Sequence, residues 1–123
     1  MAVILTIEDD PKFARLAAKI LRASGHTVLH AGTALDGLRL AENAAIDIVL
    51  LDMDLPDLDG KVAAASLRTR LGGRRVPIVA VTARDDGVAR RLAIGFGCDG
   101  FIAKPIDTRA FPTQVVAYLS EGN

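Results

Sequence analysis

The stretch IDIVLLDMDLPDLDG, Ile46 to Gly60, decides the fold. Its first part, Ile46 to Leu51, is a nearly continuous apolar run. Continuous rather than alternating runs suit strands buried on both faces, as in a parallel sheet. The run stops at Asp52. Pro56, Asp57 and Asp59 then shape a loop that turns the chain into a helix starting at Gly60. Working outward, comparable runs at Val3 to Ile7 and Val76 to Val81 read as inner strands. The less continuous run Thr27 to Ala31 and the short run Phe101 to Ala103 read as two more. Amphipathic segments lie between them. Phe13, Leu16, Ala17, Ile20 and Leu21 recur at helical spacing, with Asp10 as N-cap, Pro11 in the first turn and Gly25 as terminator. Leu35, Leu38 and Ala41 mark a second helix, and residues 60–71 and 86–95 two more. Phe111, Val115 and Leu119 mark the last, with Pro112 expected to break or restart its first turn.

Strand–helix repeated five times predicts an α/β doubly wound, five-stranded parallel sheet with right-handed crossovers and strand order 2-1-3-4-5. Ligands of such sheets bind beyond the carboxyl ends of the strands at the switch point, here between strands 1 and 3. Strand 1 ends at Glu8, Asp9 and Asp10, and strand 3 at Asp52, so two acidic clusters are predicted to share one crevice.

Composition narrows the classes. The chain has 123 residues, half of them hydrophobic, with zero formal net charge. That is the size of one domain with a real core, spanning 1–123, and nothing in the bulk charge draws it to nucleic acid or anionic lipid. No apolar run approaches the ~20 residues of a membrane helix. The start MAVILTIEDD lacks the basic region of a signal peptide. The single cysteine, Cys98, cannot form an internal disulfide. The expectation is a cytoplasmic protein without membrane or direct nucleic-acid partners.

Two carboxylates about 4 Å apart repel by roughly 4 kcal/mol at an effective dielectric near 20. A crevice holding Glu8, Asp9 and Asp52 therefore calls for a cation. Mg²⁺ prefers one or two carboxylates, waters and a phosphate oxygen. Without metal, one of these acids should hold its proton unusually tightly. Thr82 ends strand 4 and Lys104 ends strand 5. Carboxylate, hydroxyl and ammonium around one crevice match the needs of phosphoryl transfer, with Asp52 as the nucleophile that forms an acyl phosphate.

The motifs Glu8–Asp9, LLDMDLPDLDG (Leu50 to Gly60), VTA (Val81 to Ala83) and KP (Lys104–Pro105) resemble, in order and spacing, those of the response-regulator receiver domain of two-component signalling. The resemblance covers essentially the whole chain. It implies the flavodoxin-like (βα)5 receiver fold and a phospho-acceptor signalling protein, which assists only its own phosphorylation and dephosphorylation. Asp52 is then the phosphoryl acceptor, fed by a histidine kinase or histidine phosphotransfer protein. Asp9 is the direct ligand of Mg²⁺ (or Mn²⁺), Glu8 acts largely through water, and the Asp54 backbone carbonyl completes the protein's share. Thr82 and Lys104 engage the phosphoryl oxygens. Thr82 and Phe101 are the switch pair: Thr82 moves towards the phosphate and Phe101 turns inward. Lys104–Pro105 is a cis peptide, and a surface around helix 4, strand 5 and helix 5 changes its affinity for a downstream protein.

The segment GCDGFIAKPIDTRAFP is also similar to stand-alone receivers of the cell-cycle type and to receiver modules of hybrid kinases. Helix 5 lacks the basic residues by which the DNA-binding branch dimerises. The reading is therefore a single-domain regulator without an output domain, monomeric or weakly dimeric. Two alternatives stand beside it. A haloacid-dehalogenase-type phosphatase shares the Asp-x-Asp after an apolar strand, but Pro56 falls where that family has Thr or Val. A pseudo-receiver would lack one of the acids or Lys104. Outside the crevice, Cys98 reads as a small core residue, Arg90 and Arg91 as a solvated helix face, and His26 and His30 as polar groups away from the site. Asp54 and Arg84, each two residues beyond a site residue, are expected to form a salt bridge that screens the acyl phosphate.

Overall fold

The structure, a computed structural model, describes residues 1–83 and 87–121. Five strands alternate with five helices: β1 (Val3–Ile7), α1 (Pro11–Ala23), β2 (Thr27–Ala31), α2 (Ala34–Asn43), β3 (Ile48–Asp52), α3 (Gly60–Leu71), β4 (Ile78–Thr82), α4 (Gly87–Gly95), β5 (Gly100–Ala103) and α5 (Phe111–Glu121). All pairings are parallel, in the order β2-β1-β3-β4-β5. β3 and β4 are buried at every position, as continuous apolar runs require.

Strand alternation divides the core into two layers. Leu5, Ile7, Val49, Leu51, Ile78 and Ala80 face α2, α3 and α4. Ile4, Ile48, Leu50, Val79, Val81 and Ile102 face α1 and α5. The same parity sends the last residues of neighbouring strands to opposite sides. Asp52 continues the Ile48–Leu50 row, towards α1. Thr82 continues the Ile78–Ala80 row, towards α3 and α4.

Close packing fixes Gly37 and Gly100. A Cβ on Gly37 of α2 would lie 2.4 Å from Ile7 Cδ1, and one on Gly100 would lie 2.1 Å from Tyr118 Cε1. Tyr118 of α5 lies along the outer edge of β5. Its hydroxyl accepts from the Phe101 N–H at 3.2 Å and lies 3.3 Å from the Phe101 carbonyl, to which it donates. It thus occupies an unpaired stretch of edge strand.

Helix ends follow local chemistry. Asp10 accepts from Lys12 N and Asp59 from Lys61 N as N-caps, and Gly25, at φ 91°, follows the end of α1. Three expectations need correction. Strands 3 and 4 begin two residues later than the apolar runs: Ile46 and Val76 are buried but precede the ladder. Asp47 closes the start of β3 by accepting from Val3 N–H, and Pro77 has no N–H to donate. Pro112 does not break α5; it is the second residue of the helix, where a backbone N–H has no helical acceptor. Asp57 does more than turn the loop into α3. Its two oxygens accept from Ala34 N (3.0 Å) and Leu35 N (3.1 Å), so it caps α2 across the loop beside Thr33, the sequence-local cap. Those backbone donors hold the Asp57 carboxyl below the usual range.

Candidate functional site

The carboxyl ends of β1 and β3 lie side by side because the strands pair from Ile4–Ile48 to Ile7–Leu51. Glu8, Asp9 and Asp52 each present an oxygen, and the three atoms lie within 4.8 Å of one another. Glu8 and Asp52 are buried, with 4% and 5% exposure, while Asp9 is open to solvent. The loop that holds them is tied down at several points. Glu8 N donates to Ala31 O, Asp10 N donates to Glu8 Oε2 at 3.2 Å, and Asp10 caps α1. His30 belongs to this set as well. Its Nε2 lies 2.8 Å from the Glu8 carbonyl, which accepts from it, so the residue is not remote from the crevice as the sequence suggested. His26 is remote; its Nδ1 accepts from Ala2 N–H.

Lys104 approaches from β5, its backbone N–H donating to Thr82 O at 2.8 Å. The Lys104–Pro105 peptide bond is cis. The Lys104 ammonium lies 2.6 Å from Glu8 Oε1 and 3.9 Å from Asp52 Oδ2, and thus pairs chiefly with Glu8. Its other neighbour is the Phe13 ring, with the centroid 4.3 Å away. Asp52 Oδ1 accepts from Asp54 N–H at 3.0 Å. Burial, and then the neighbouring Glu8 carboxyl, push the Asp52 carboxyl up to about 7, while the Asp54 N–H and the Lys104 charge oppose this. One acid of the cluster does hold its proton unusually tightly.

On the other side of β4, Thr82 Oγ1 donates to Asp54 Oδ2 at 3.3 Å. Thr82, Asp54 and Phe101 line a cavity of about 490 Å³ that runs between Gly60 of α3 and Leu92 of α4. Phe101 is half-buried, packs on the α2–α3–α4 layer and lies under the Arg90 guanidinium, 4.9 Å from its ring centroid. Arg84, the proposed partner of Asp54, lies outside the described residues. The Asp54 carboxylate accepts from Thr82. Cys98 is buried, and burial pushes its thiol up to about 11, as suits an unreactive core residue.

The expected acids, hydroxyl, lysine and aromatic therefore meet at one end of the sheet, but in two groups. Glu8, Asp9, Asp52 and Lys104 form the acidic crevice on the α1 side. Thr82, Asp54 and Phe101 border the cavity on the α3–α4 side. The donor set of the crevice is three carboxylate oxygens, hard ligands that fit Mg²⁺ or Mn²⁺. The sequence reading missed His30, whose signal lay in the pairing of β2 with β1. It also missed Phe13, which looked like one more member of an apolar stripe.

Comparison with known proteins identifies the family of this fold. The response regulator receiver domain family matches residues 4–116. The uncharacterized transcriptional regulatory protein YcbL of Bacillus subtilis is 31% identical over 115 residues, covering 94% of this chain and 50% of its own length. The sensory transduction protein RegX3 of Mycolicibacterium smegmatis is 32% identical over 122 residues, covering 99% of this chain and 52% of its own length. The chain thus spans about half the length of the curated relatives it matches. Among solved structures, a CheY-like receiver domain protein of Methanospirillum hungatei superimposes with a TM-score of 0.90 at 25% identity, covering 99% of this chain and 96% of the other. The receiver domain of the sensor histidine kinase PA1611 of Pseudomonas aeruginosa, solved with a magnesium ion coordinated in its active-site cleft, gives 0.87 at 30% identity, covering 97% of this chain and 98% of the other. By fold and by sequence, the chain belongs to the response regulator receiver domain family of two-component signalling.

Proposed function

We propose that Asp52 accepts a phosphoryl group from the phosphohistidine of a histidine kinase or histidine phosphotransfer protein. The modified domain then changes its affinity for a downstream protein. The observation that carries this is the convergence of the Glu8, Asp9 and Asp52 oxygens within 4.8 Å, with the Lys104 ammonium at their edge. Mg²⁺ or Mn²⁺ would be held by Asp9, Asp52, the Asp54 carbonyl and, largely through water, Glu8, and would supply neutralising charge to the phosphoryl oxygens. In the transfer, an Asp52 carboxylate oxygen forms the new P–O bond as the donor's P–N bond breaks, and the imidazole leaves with its electron pair. Lys104 moves from Glu8 to a phosphoryl oxygen. Thr82 exchanges its bond with Asp54 for another phosphoryl oxygen, and Phe101 turns into the cavity beside it. These local charge events bias the surface of α4, β5 and α5.

The α5 helix contains no Lys or Arg, which favours a protein target over direct nucleic-acid contact. Among the described residues no helix is long and apolar enough to cross a membrane. The single-domain reading holds that these 123 residues suffice as a phosphorylatable unit, with no external substrate turned over. The test is intact mass after incubation with acetyl phosphate and Mg²⁺. A gain of one phosphoryl group, abolished when EDTA is present from the start, is the expected result. Steady hydrolysis of a phosphate ester without a phosphorylated protein species would overturn it.

A further inference from the structure

Phe13 stands where no motif of the site places a residue, yet it touches the Lys104 ammonium. It is the third residue of α1, and the cap made by Asp10 with Lys12 N–H fixes the start of that helix beside the acidic loop. The ring is half-buried and packs on the α1–α5 layer. It also lines, with Glu8, Asp52, Leu50 and Val81, a gap of about 10 Å³, too small to hold an ordered water comfortably. The Lys104 side chain is 19% exposed, and its ammonium has the Glu8 and Asp52 carboxylates and this ring, at 4.3 Å, as neighbours.

A cation over an aromatic face is attracted by the ring quadrupole, more strongly when it is partly desolvated. That attraction spreads across the ring face and does not demand one hydrogen-bond geometry. A carboxylate pair, by contrast, holds the ammonium at one point. The proposed reaction requires Lys104 to leave Glu8 for a phosphoryl oxygen on Asp52. During that move the ring is the contact the ammonium keeps.

We propose that Phe13 is a positioning residue for phosphoryl transfer: its ring face retains the Lys104 ammonium in the crevice as Lys104 shifts from Glu8 to the phosphoryl group. The proposal rests on the reading of Asp52 as phosphoryl acceptor. It concerns the ring face and not merely apolar volume. Leucine at this position keeps the packing and loses the function, whereas tyrosine and tryptophan keep both.

The experiment compares wild type with Phe13→Leu, Phe13→Tyr and Phe13→Trp. The initial rate of phosphorylation by acetyl phosphate with saturating Mg²⁺ is read by intact mass. The Lys104 Hε resonances are read by NMR in the metal-free proteins, and thermal melts check folding. The expected result is a rate about 3- to 10-fold lower in Phe13→Leu, with Tyr and Trp near or above wild type. The Lys104 Hε resonances are expected upfield from the ring current in wild type and at ordinary positions in Phe13→Leu. If Phe13→Leu melts early, the Tyr and Trp variants and the wild-type resonances still decide. Rates within 2-fold across the series, or ordinary Lys104 resonances in wild type, overturn the proposal and leave the acceptor reading intact. A wild-type protein that gains no phosphoryl group overturns both.

Discussion

The two ends of the sheet use the same residue type in opposite ways. At the amino ends of the strands, Asp47 accepts from Val3 N–H, and Asp99 accepts from Ile78 N–H at 2.8 Å and from Arg68 at 2.5 Å. Each acid there has its own donors and closes a strand start. At the carboxyl ends, Glu8 and Asp52 are buried against each other and divide one lysine unequally between them. Acids that close a ladder are satisfied one by one. Acids that face each other leave an excess of negative charge, which on the proposed reading a divalent cation would offset. The difference teaches where stability and function part company in this fold.

The sharpest way to break the comparison is at Asp52. On the proposed reading Asp52→Asn removes the acceptor oxygen, and phosphoryl uptake from acetyl phosphate should fall below detection by intact mass. Uptake at the wild-type level would move the site elsewhere.

The second test uses pH. In metal-free protein the Asp52 carboxyl titrates near 7, against 3.8 for the ordinary group. Between those values the folded state binds more protons than the unfolded chain. This contribution to stability is therefore complete below about pH 4 and is lost as pH rises through about 7. The loss is on the order of 4 kcal/mol at most. Urea midpoints in EDTA should fall across that window, the fall should be largely absent in Asp52→Asn, and Mg²⁺ should restore stability near pH 7. A midpoint that rises from pH 4 to 7 in EDTA would contradict the crowding of carboxylates.

At the opposite end the sign inverts. Gly100→Ala places a Cβ against the Tyr118 ring and should cost about 2 kcal/mol by urea unfolding, as overpacking does. The cost should shrink in a Tyr118→Ala background, and equal costs in both backgrounds would place the strain elsewhere. Asp99→Ala leaves the buried Ile78 N–H without its side-chain acceptor and should cost about 1 kcal/mol, with phosphoryl uptake unchanged. A variant as stable as wild type would show that water replaces the carboxylate fully.

Much of this was legible in residue order. Continuous runs of Val, Ile and Leu announce doubly buried strands, and the position of Asp52 after one such run and Glu8–Asp9 after another follows directly. Features that depend on two distant segments were not legible. Asp57 looked like a loop acid because its partners, Ala34 N and Leu35 N, lie on a helix 22 and more residues away. His30 looked remote because only the pairing of β2 with β1 brings it to the Glu8 carbonyl. Pro112 looked like a helix breaker because the start of α5 depends on where the chain leaves β5.

Sequence by itself determined the parallel α/β sheet, the strand order and the identities of the acids, hydroxyl and lysine at its carboxyl ends. These follow from hydrophobic period and from topology rules that act on local runs. Only the tertiary structure decided that Lys104 sits on Glu8 rather than Asp52, that the Phe13 ring lies against its ammonium, and that Thr82 turns away towards Asp54 and the α3–α4 cavity. The reason is the pleat. Successive side chains leave a strand on opposite faces, so which neighbours a strand-end residue meets depends on which helix layer covers that face.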